Sequence, residues 1–276
     1  MKEYQKSYEL SNGVKIPKVG FGTWQVKSGE EAYKSVALAL KNGYRHIDTA
    51  AAYQNEESVG KAIKDSGIPR TEIFITTKLP AEIKKYEEAK ATFLKSIELL
   101  GVDYIDLYLI HAPWPWNEMG KDYSKGNVEV YKVLEEFYLK KKIRAIGVSN
   151  FAPKDIENIL NNCEIVPHAN QIGYFIGIDQ SETINFCKER NIFIEAYSPL
   201  GIGYLLTNED IKKTADKYQV SSAQICLRYL LQKGVAPLPK STHENRIIQN
   251  TELDFEIEEE DMKFLDTIKG DPRRWD

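Results

Sequence analysis

Tyr104-Ile105-Asp106-Leu107-Tyr108-Leu109-Ile110-His111 is the stretch on which the fold turns. Apart from Asp106 its residues up to Ile110 are apolar or aromatic on both alternations. A strand here has no solvent face, as in a parallel sheet covered on both sides. Shorter β-rich runs lie on either side of it: Val19–Phe21, Arg45–Asp48, Ile73–Thr77, Ile143–Val148, His168–Ile172, Ile192–Ala196 and Val235–Leu238. A helical pattern follows each, and no linker or low-complexity stretch interrupts the series. Repeated strand-helix units with right-handed crossovers either close into a barrel or lie as an open doubly wound sheet. Eight units favour closure, so the expected fold is α/β, a (β/α)8 TIM barrel, in one domain over residues 1–276.

The punctuation is legible as well. Tyr8–Ile16 alternates around Asn12-Gly13 and predicts an N-terminal β-hairpin whose turn residues both tolerate φ > 0. Ser28, with Glu31 three residues on, reads as a capping box, and Pro153 as a first-turn proline. Gly43, Gly67, Gly101 and Gly234 fall after helical segments, where a left-handed C-cap belongs.

A chain of 276 residues, 42% hydrophobic and 28% charged, can bury a continuous core. Its formal net charge of −4 makes no broad basic surface, which sets nucleic-acid binding aside. Met1-Lys2-Glu3-Tyr4-Gln5-Lys6 is charged where a signal peptide is apolar, and no stretch approaches membrane-spanning length. The expectation is a cytoplasmic monomer with no membrane partner. Cys163, Cys187 and Cys226 are odd in number, far apart and in no C-x-x-C pattern, so they read as packing residues and imply neither disulfide nor metal. Lys140-Lys141-Lys142 and Glu258-Glu259-Glu260-Asp261 suit a solvated helix end and a helix start.

In a (β/α)8 barrel, polar residues at the C-terminal ends of strands face the active-site mouth. Asp48 ends the second run, Tyr53 follows it, Lys78 ends the third and His111 the fourth. Together they suit carbonyl reduction, in which hydride added to carbon leaves an alkoxide that needs an acid. Tyr53 can be that acid if Lys78 lowers its pKa from roughly 10 and Asp48 holds Lys78 charged. His111 would donate to the carbonyl oxygen and polarise it. Each residue alone could be an ordinary loop contact. Gly20-Phe21-Gly22-Thr23 matches only the first half of a dinucleotide-binding G-x-G-x-x-G, which moves any phosphate site to the barrel rim.

These residues lie in phrases that resemble the aldo-keto reductases over essentially the whole chain. Gly43-Tyr44-Arg45-His46-Ile47-Asp48-Thr49-Ala50, with Tyr53 and Asn55-Glu56-Glu57, resembles the family's first signature. Thr76-Thr77-Lys78-Leu79 is similar to its lysine strand and Asp106–His111 to its histidine strand. The resemblance implies a reductase of aldehydes, ketones or dicarbonyls that uses NADPH, with Asp48, Tyr53, Lys78 and His111 catalytic. Arg144-Ala145-Ile146-Gly147-Val148-Ser149-Asn150-Phe151 resembles the second signature; Ser149, Asn150 and Gln171 would bind the nicotinamide carboxamide. In Ala196-Tyr197-Ser198-Pro199-Leu200, Tyr197 would stack on the ring, and Ser198, Leu200, Gly22 and Thr23 would join the cofactor site. Pro239-Lys240-Ser241-Thr242-His243-Glu244-Asn245-Arg246, with Gln249 and Asn250, resembles the third signature. Lys240, Ser241 and Arg246 near a helix N-terminus would hold a 2′-phosphate, which favours NADPH over NADH, and Thr242 would join the cofactor site.

Three segments depart from the family pattern. After His111 the family often has Trp-Pro, whereas here Ala112-Pro113-Trp114-Pro115-Trp116 removes or displaces an aromatic pocket wall. Trp24 is expected to line the pocket, with Trp114 or Trp116. Gly173-Tyr174-Phe175-Ile176 replaces Glu-x-His-Pro and implies a different loop path. Gln249 stands where an acidic adenine contact is usual. The loop after Tyr197 and the tail Arg273-Arg274-Trp275-Asp276 are short. Two other readings stay open: a cofactor-sensing protein on the same scaffold, and a lyase using Lys78 as a Schiff-base nucleophile.

Overall fold

Each apolar stave is satisfied only by a parallel neighbour and a covering helix. The structure, a computed structural model, describes residues 2–270 and arranges them in that way. A hairpin of β1 (Ser7–Glu9) and β2 (Lys15–Pro17) leads into β3 (Phe21–Gly22), α1 (Glu30–Lys41), β4 (His46–Asp48), α2 (Glu56–Asp65), β5 (Phe74–Leu79) and α3 (Tyr86–Leu100). Then come β6 (Ile105–Ile110), α4 (Ser124–Leu139), β7 (Ile143–Ser149), α5 (Pro153–Asn162), β8 (Ala169–Gly173) and α6 (Ser181–Glu189). The last part holds β9 (Phe193–Tyr197), α7 (Glu209–Tyr218), α8 (Ser222–Gln232), β10 (Ala236–Leu238), α9 (Glu244–Gln249) and α10 (Glu259–Thr267).

Strands β3 to β10 lie side by side in chain order, every pair parallel. At the seam the Gly20 N–H donates to Pro237 O at 3.1 Å and the Gly22 N–H to Pro239 O at 3.0 Å. A Cβ on Gly20 would stand 2.4 Å from Leu238 Cδ2 and 2.6 Å from His46 Nδ1, so the seam closes only without a side chain there. The expected (β/α)8 barrel with its N-terminal hairpin is the fold.

The barrel interior is layered. Phe74, Leu107, Leu109, Ala145 and Ala169 form an apolar floor with Leu10 and Ile16 of the hairpin, which plugs the N-terminal end. Above the floor lie buried polar groups, His46, Thr76 and Glu195. Outside the staves, Tyr108, Ile110, Ile146 and Val148 pack in the larger core with helix residues such as Phe93, Val130 and Leu134.

Several local expectations need correction. In the hairpin only Gly13 has positive φ, at 81°; Asn12 does not. Gly13 N–H donates to Leu10 O at 2.8 Å and Leu10 N–H to Val14 O at 2.9 Å, a turn with one left-handed residue rather than two. Ser28 caps nothing: α1 is entered through Gly29, whose N–H donates to Ser58 Oγ at 2.8 Å, so α2 supplies the partner that a capping box would have supplied. Pro153 does open α5, and Gly43, Gly67, Gly101 and Gly234 all have positive φ. The additional helix α7 stands between β9 and α8.

The Gly173–Ile176 segment turns against its own neighbours, with Gly173 O accepting from Gln180 Nε2 at 3.1 Å and Gly177 O from Gly270 N at 2.8 Å. Lys217 bridges Glu258 and Asp261 at 2.7 Å each, while Lys140, Lys141 and Lys142 are exposed. The three cysteines are free thiols. Among the described residues no helix is long and apolar enough to cross a membrane. The tail Arg273-Arg274-Trp275-Asp276 lies outside the described residues.

Candidate active site

Asp48 is the last residue of β4 and Lys78 the next to last of the adjacent β5, and strand alternation turns both inward. Lys78 Nζ donates to both Asp48 carboxylate oxygens at 2.8 Å and to Thr49 O at 2.9 Å, which engages all three of its protons. Burial alone would depress the ammonium's pKa, but the charge and hydrogen bonds of Asp48, with a contribution from Tyr53, carry it above the ordinary value.

Tyr53 closes a short 3₁₀ turn, Ala51–Tyr53, that ends where Gln54 adopts a left-handed φ of 57°. Its half-buried ring lies 5.1 Å from Lys78 Nζ. The expectation that Lys78 brings the phenol below its ordinary pKa is not met. Burial raises it, Asp48 adds to the rise, and the opposing pull of Lys78 leaves the net direction upward. His111, one residue past β6, donates its backbone N–H to Leu79 O at 3.0 Å, and its ring stands edge-on to Tyr53 with centroids 5.6 Å apart. Burial, then the charge of Lys78, push its pKa down to about 3. The imidazole is therefore neutral and donates from one nitrogen only; the buried Nδ1 has no hydrogen-bond partner among the described residues.

Behind this pair a chain of polar groups runs into the barrel. Gln171 Nε2 donates to Asp48 Oδ2 at 2.8 Å and to Glu195 Oε2 at 3.3 Å. With the amide protons engaged, Gln171 offers a ligand its oxygen. Ser149 Oγ donates to Gln171 O at 2.8 Å. Asn150, at φ 61°, donates to His111 O at 3.0 Å and accepts from the Tyr197 hydroxyl at 2.7 Å. Glu195, fully buried, has its pKa raised to about 8 by burial and by Asp48.

A cleft of about 960 Å³ opens above these groups. Tyr53, His111, Trp24 and Trp116 line one part of it, with Asp48 at its base; Gly22, Ser149, Asn150, Gln171, Tyr197, Ser198 and Leu200 form another; Lys240, Ser241, Arg246, Gln249 and Asn250 line a third. Trp116 is edge-on to His111 at 5.6 Å, and Trp114 is edge-on to Trp116 at 5.4 Å without lining the cleft. The aromatic wall is displaced along the loop, not missing. Thr23 and Thr242 do not line the cleft either; Thr23 is buried and donates Oγ1 to Asp48 O at 3.0 Å. The helix after Lys240 has six residues, Ser241 Oγ exchanges hydrogen bonds with the His243 backbone, and the cleft residues of this segment include two exposed cations, Lys240 and Arg246.

Sequence reasoning missed Ile202, Gly203 and Ser221–Ala223 on the cleft wall, and Glu195 beneath it. Glu195 had a signal, an acid inside an otherwise apolar strand. The α8 serines had none beyond an ordinary helix start. Among the described residues no cluster of His, Cys, Asp and Glu could hold a metal ion. A cleft whose lining includes amide and hydroxyl side chains and two cations has groups that could hold a dinucleotide.

Comparison with known proteins identifies the family. Residues 18–269 match the Aldo/keto reductase family. The chain is 47% identical over 266 residues to the glyoxal reductase of Bacillus subtilis (strain 168), covering 96% of this chain and 93% of the relative. The crystal structure of an aldo-keto reductase from a Medee basin deep-sea metagenome library superposes with a TM-score of 0.89 at 40% identity, covering 95% of each chain. A Bombyx mori aldo-keto reductase, solved in complex with NADP, gives 0.86 at 33% identity, with 98% of this chain and 96% of that one covered. The chain belongs to the aldo/keto reductase family and is an oxidoreductase.

Proposed function

We propose that this protein reduces aldehydes, ketones or dicarbonyls to alcohols with NADPH, with Tyr53 as the general acid. The cofactor, when bound, supplies the hydride; the chain's own residues bind, orient and protonate. Ser149, Asn150 and Gln171 are suited to a carboxamide because they present oxygens and amide groups side by side, and Tyr197 offers a ring face beside them. Lys240 and Arg246 favour the phosphorylated cofactor over its unphosphorylated form.

A carbonyl lodged between Tyr53 and His111 meets one neutral N–H donor and one phenol. The upward pKa of Tyr53 keeps its proton in place until negative charge develops on the substrate oxygen, and the nearby Lys78 ammonium then stabilises the phenolate that remains. Lys78 sits beneath Asp48 with its protons engaged, which supports an electrostatic role over a Schiff base. The observation that carries the reading is that Asp48, Tyr53 and His111 line one cleft with Lys78 buried behind Asp48 and 5.1 Å from the Tyr53 ring.

Similarity to a glyoxal reductase makes glyoxal the first substrate to try, with methylglyoxal as its methyl-substituted dicarbonyl analogue. The purified protein should oxidise NADPH when methylglyoxal is added, followed at the nicotinamide absorbance. Tyr53→Phe should lose that turnover by roughly 10²-fold or more, the scale of general acid catalysis, and still quench with NADPH. A Tyr53→Phe protein as active as the parent would defeat the assignment.

A further inference from the structure

The segment after His111 is held by its carbonyls. His111 O accepts from Asn150 Nδ2 at 3.0 Å, Ala112 O from Lys84 Nζ at 2.9 Å and Pro113 O from Asn127 Nδ2 at 2.8 Å. Lys84 Nζ also donates to Asn127 Oδ1 at 2.8 Å, so the second and third grips form one unit. Lys84 comes from the loop between β5 and α3, and Asn127 from the first turn of α4. Gly126 admits the lysine: a Cβ there would stand 2.8 Å from Lys84 Cβ and 3.2 Å from Lys84 O.

Lys84 is 9% exposed and Asn127 2%. Burying an ammonium against two neutral oxygens is costly. Burial pulls its pKa down to about 8, and Glu82 and Asp155 oppose this only in part. A neutral side chain could fill the same space without that cost, so the ammonium's hydrogen bonds have a use beyond packing. The loop it grips carries Trp116, whose ring meets His111 edge-on in the cleft. His111 itself has two separate anchors, Asn150 and the hydrogen bond to Leu79 O.

We propose that Lys84 and Asn127 are positioning residues for substrate specificity, a clamp on Ala112 and Pro113 that sets Trp116 as the aromatic wall of the carbonyl pocket. The inference rests on the reading of this end of the cleft as the carbonyl site. With His111 anchored independently, loss of the clamp moves the wall and leaves the proton-delivery groups where they are. The kinetic signature is a change in KM for substrates large enough to touch Trp116, with kcat and cofactor affinity retained.

The test compares wild type, Lys84→Met, Trp116→Ala and the double variant with NADPH and two aldehydes, methylglyoxal and 4-nitrobenzaldehyde. Lys84→Met should raise KM for the aromatic aldehyde by roughly tenfold, with kcat, KM for methylglyoxal and the NADPH Kd all within about twofold of wild type. In the Trp116→Ala background it should add nothing, because residues acting through one contact are not additive. Asn127→Asp keeps an acceptor for Lys84 and gives up the donor to Pro113, so it carries the same expectation if Lys84→Met does not fold. An unchanged KM for 4-nitrobenzaldehyde in a folded variant, or equal losses for both aldehydes and for NADPH, overturns the clamp alone. Failure of wild type to turn over either aldehyde overturns the reductase reading and the clamp with it.

Discussion

Replacing Glu195 by glutamine should change how the stability of the protein depends on pH. Glu195 is fully buried in β9, within 3.3 Å of the Gln171 amide and 3.7 Å from His46 Nε2. The unfolded chain releases this proton near the ordinary carboxyl value of 4.5, whereas burial and the charge of Asp48 hold it in the native state up to about 8. Between those limits the native state carries one more proton than the unfolded state. Stability must then fall as pH rises, by up to about 1.4 kcal/mol per pH unit and at most roughly 5 kcal/mol across the window. His46 and His111 act in the opposite sense. Both are pushed down to about 3, so the unfolded chain binds the additional protons and stability rises with pH until about 6.5. Wild type should be most stable near pH 6.5 and lose stability towards pH 8. Glutamine has no proton to release, so Glu195→Gln should show the rise without the decline, and the difference between the two proteins should widen from pH 5 to 8 and then level off. Urea unfolding followed by circular dichroism at half-unit intervals would measure it. A difference that stays constant from pH 5 to 9 would refute the reasoning, because it would mean that the buried carboxyl ionises at its ordinary value.

Two further outcomes follow from other parts of the fold. A Cβ at Gly147 would stand 2.4 Å from Ala169 O on the paired strand and 2.9 Å from Leu109 Cδ2, so Gly147→Ala should cost about 2–3 kcal/mol in urea unfolding. Wild-type stability in that variant would mean that β7 and β8 can part at no cost. Joint replacement of Lys240 and Arg246 by alanine should weaken NADPH binding by roughly 10²-fold while changing NADH binding little, as two lost charge-assisted hydrogen bonds require; equal weakening of both cofactors would place the phosphate elsewhere.

How much of this was legible depended on whether the signal was local. Asp48, Lys78 and His111 could be read because each is polar at or next to the end of an apolar strand, and the barrel rule does the rest. Strand ends were less legible. The first run, expected over Val19–Phe21, pairs instead at Phe21–Gly22, since pairing there depends on where the seam closes and not on hydrophobicity. Ser28 and Glu31 formed a sound local signal that lost to a tertiary partner, Ser58. Asn12-Gly13 announced the hairpin correctly and misstated its turn, because loop length decides the turn type. Lys84 and Asn127 are 43 positions apart and each looks like an ordinary helix-flanking residue, so nothing in the sequence pairs them. Glu195 was missed although it is an acid in a buried strand, and its partner is set by register: Gln171 lies opposite it across β8 and β9.

The register also explains why the barrel can hold so many ionisable groups above its apolar floor. Asp48 and Lys78 face each other in bidentate contact, an arrangement in which the attraction offsets the loss of water. A second full charge beside them would not be offset. Glu195 faces only the amide of Gln171 and a histidine whose own pKa is pushed down by burial and by Lys78, so neither member of the His46–Glu195 pair charges the other. Both stay neutral at neutral pH, so the His46–Glu195 pair adds no charge beside the Asp48–Lys78 ion pair. That neutrality matters at the cleft. If Glu195 were an anion, it would compete with Asp48 through Gln171 and draw on the field of Lys78 from below, weakening the stabilisation available to a Tyr53 phenolate above. A buried acid that retains its proton thus leaves the Lys78 ammonium paired with Asp48 alone, which is the condition that the proposed role of Tyr53 as general acid requires.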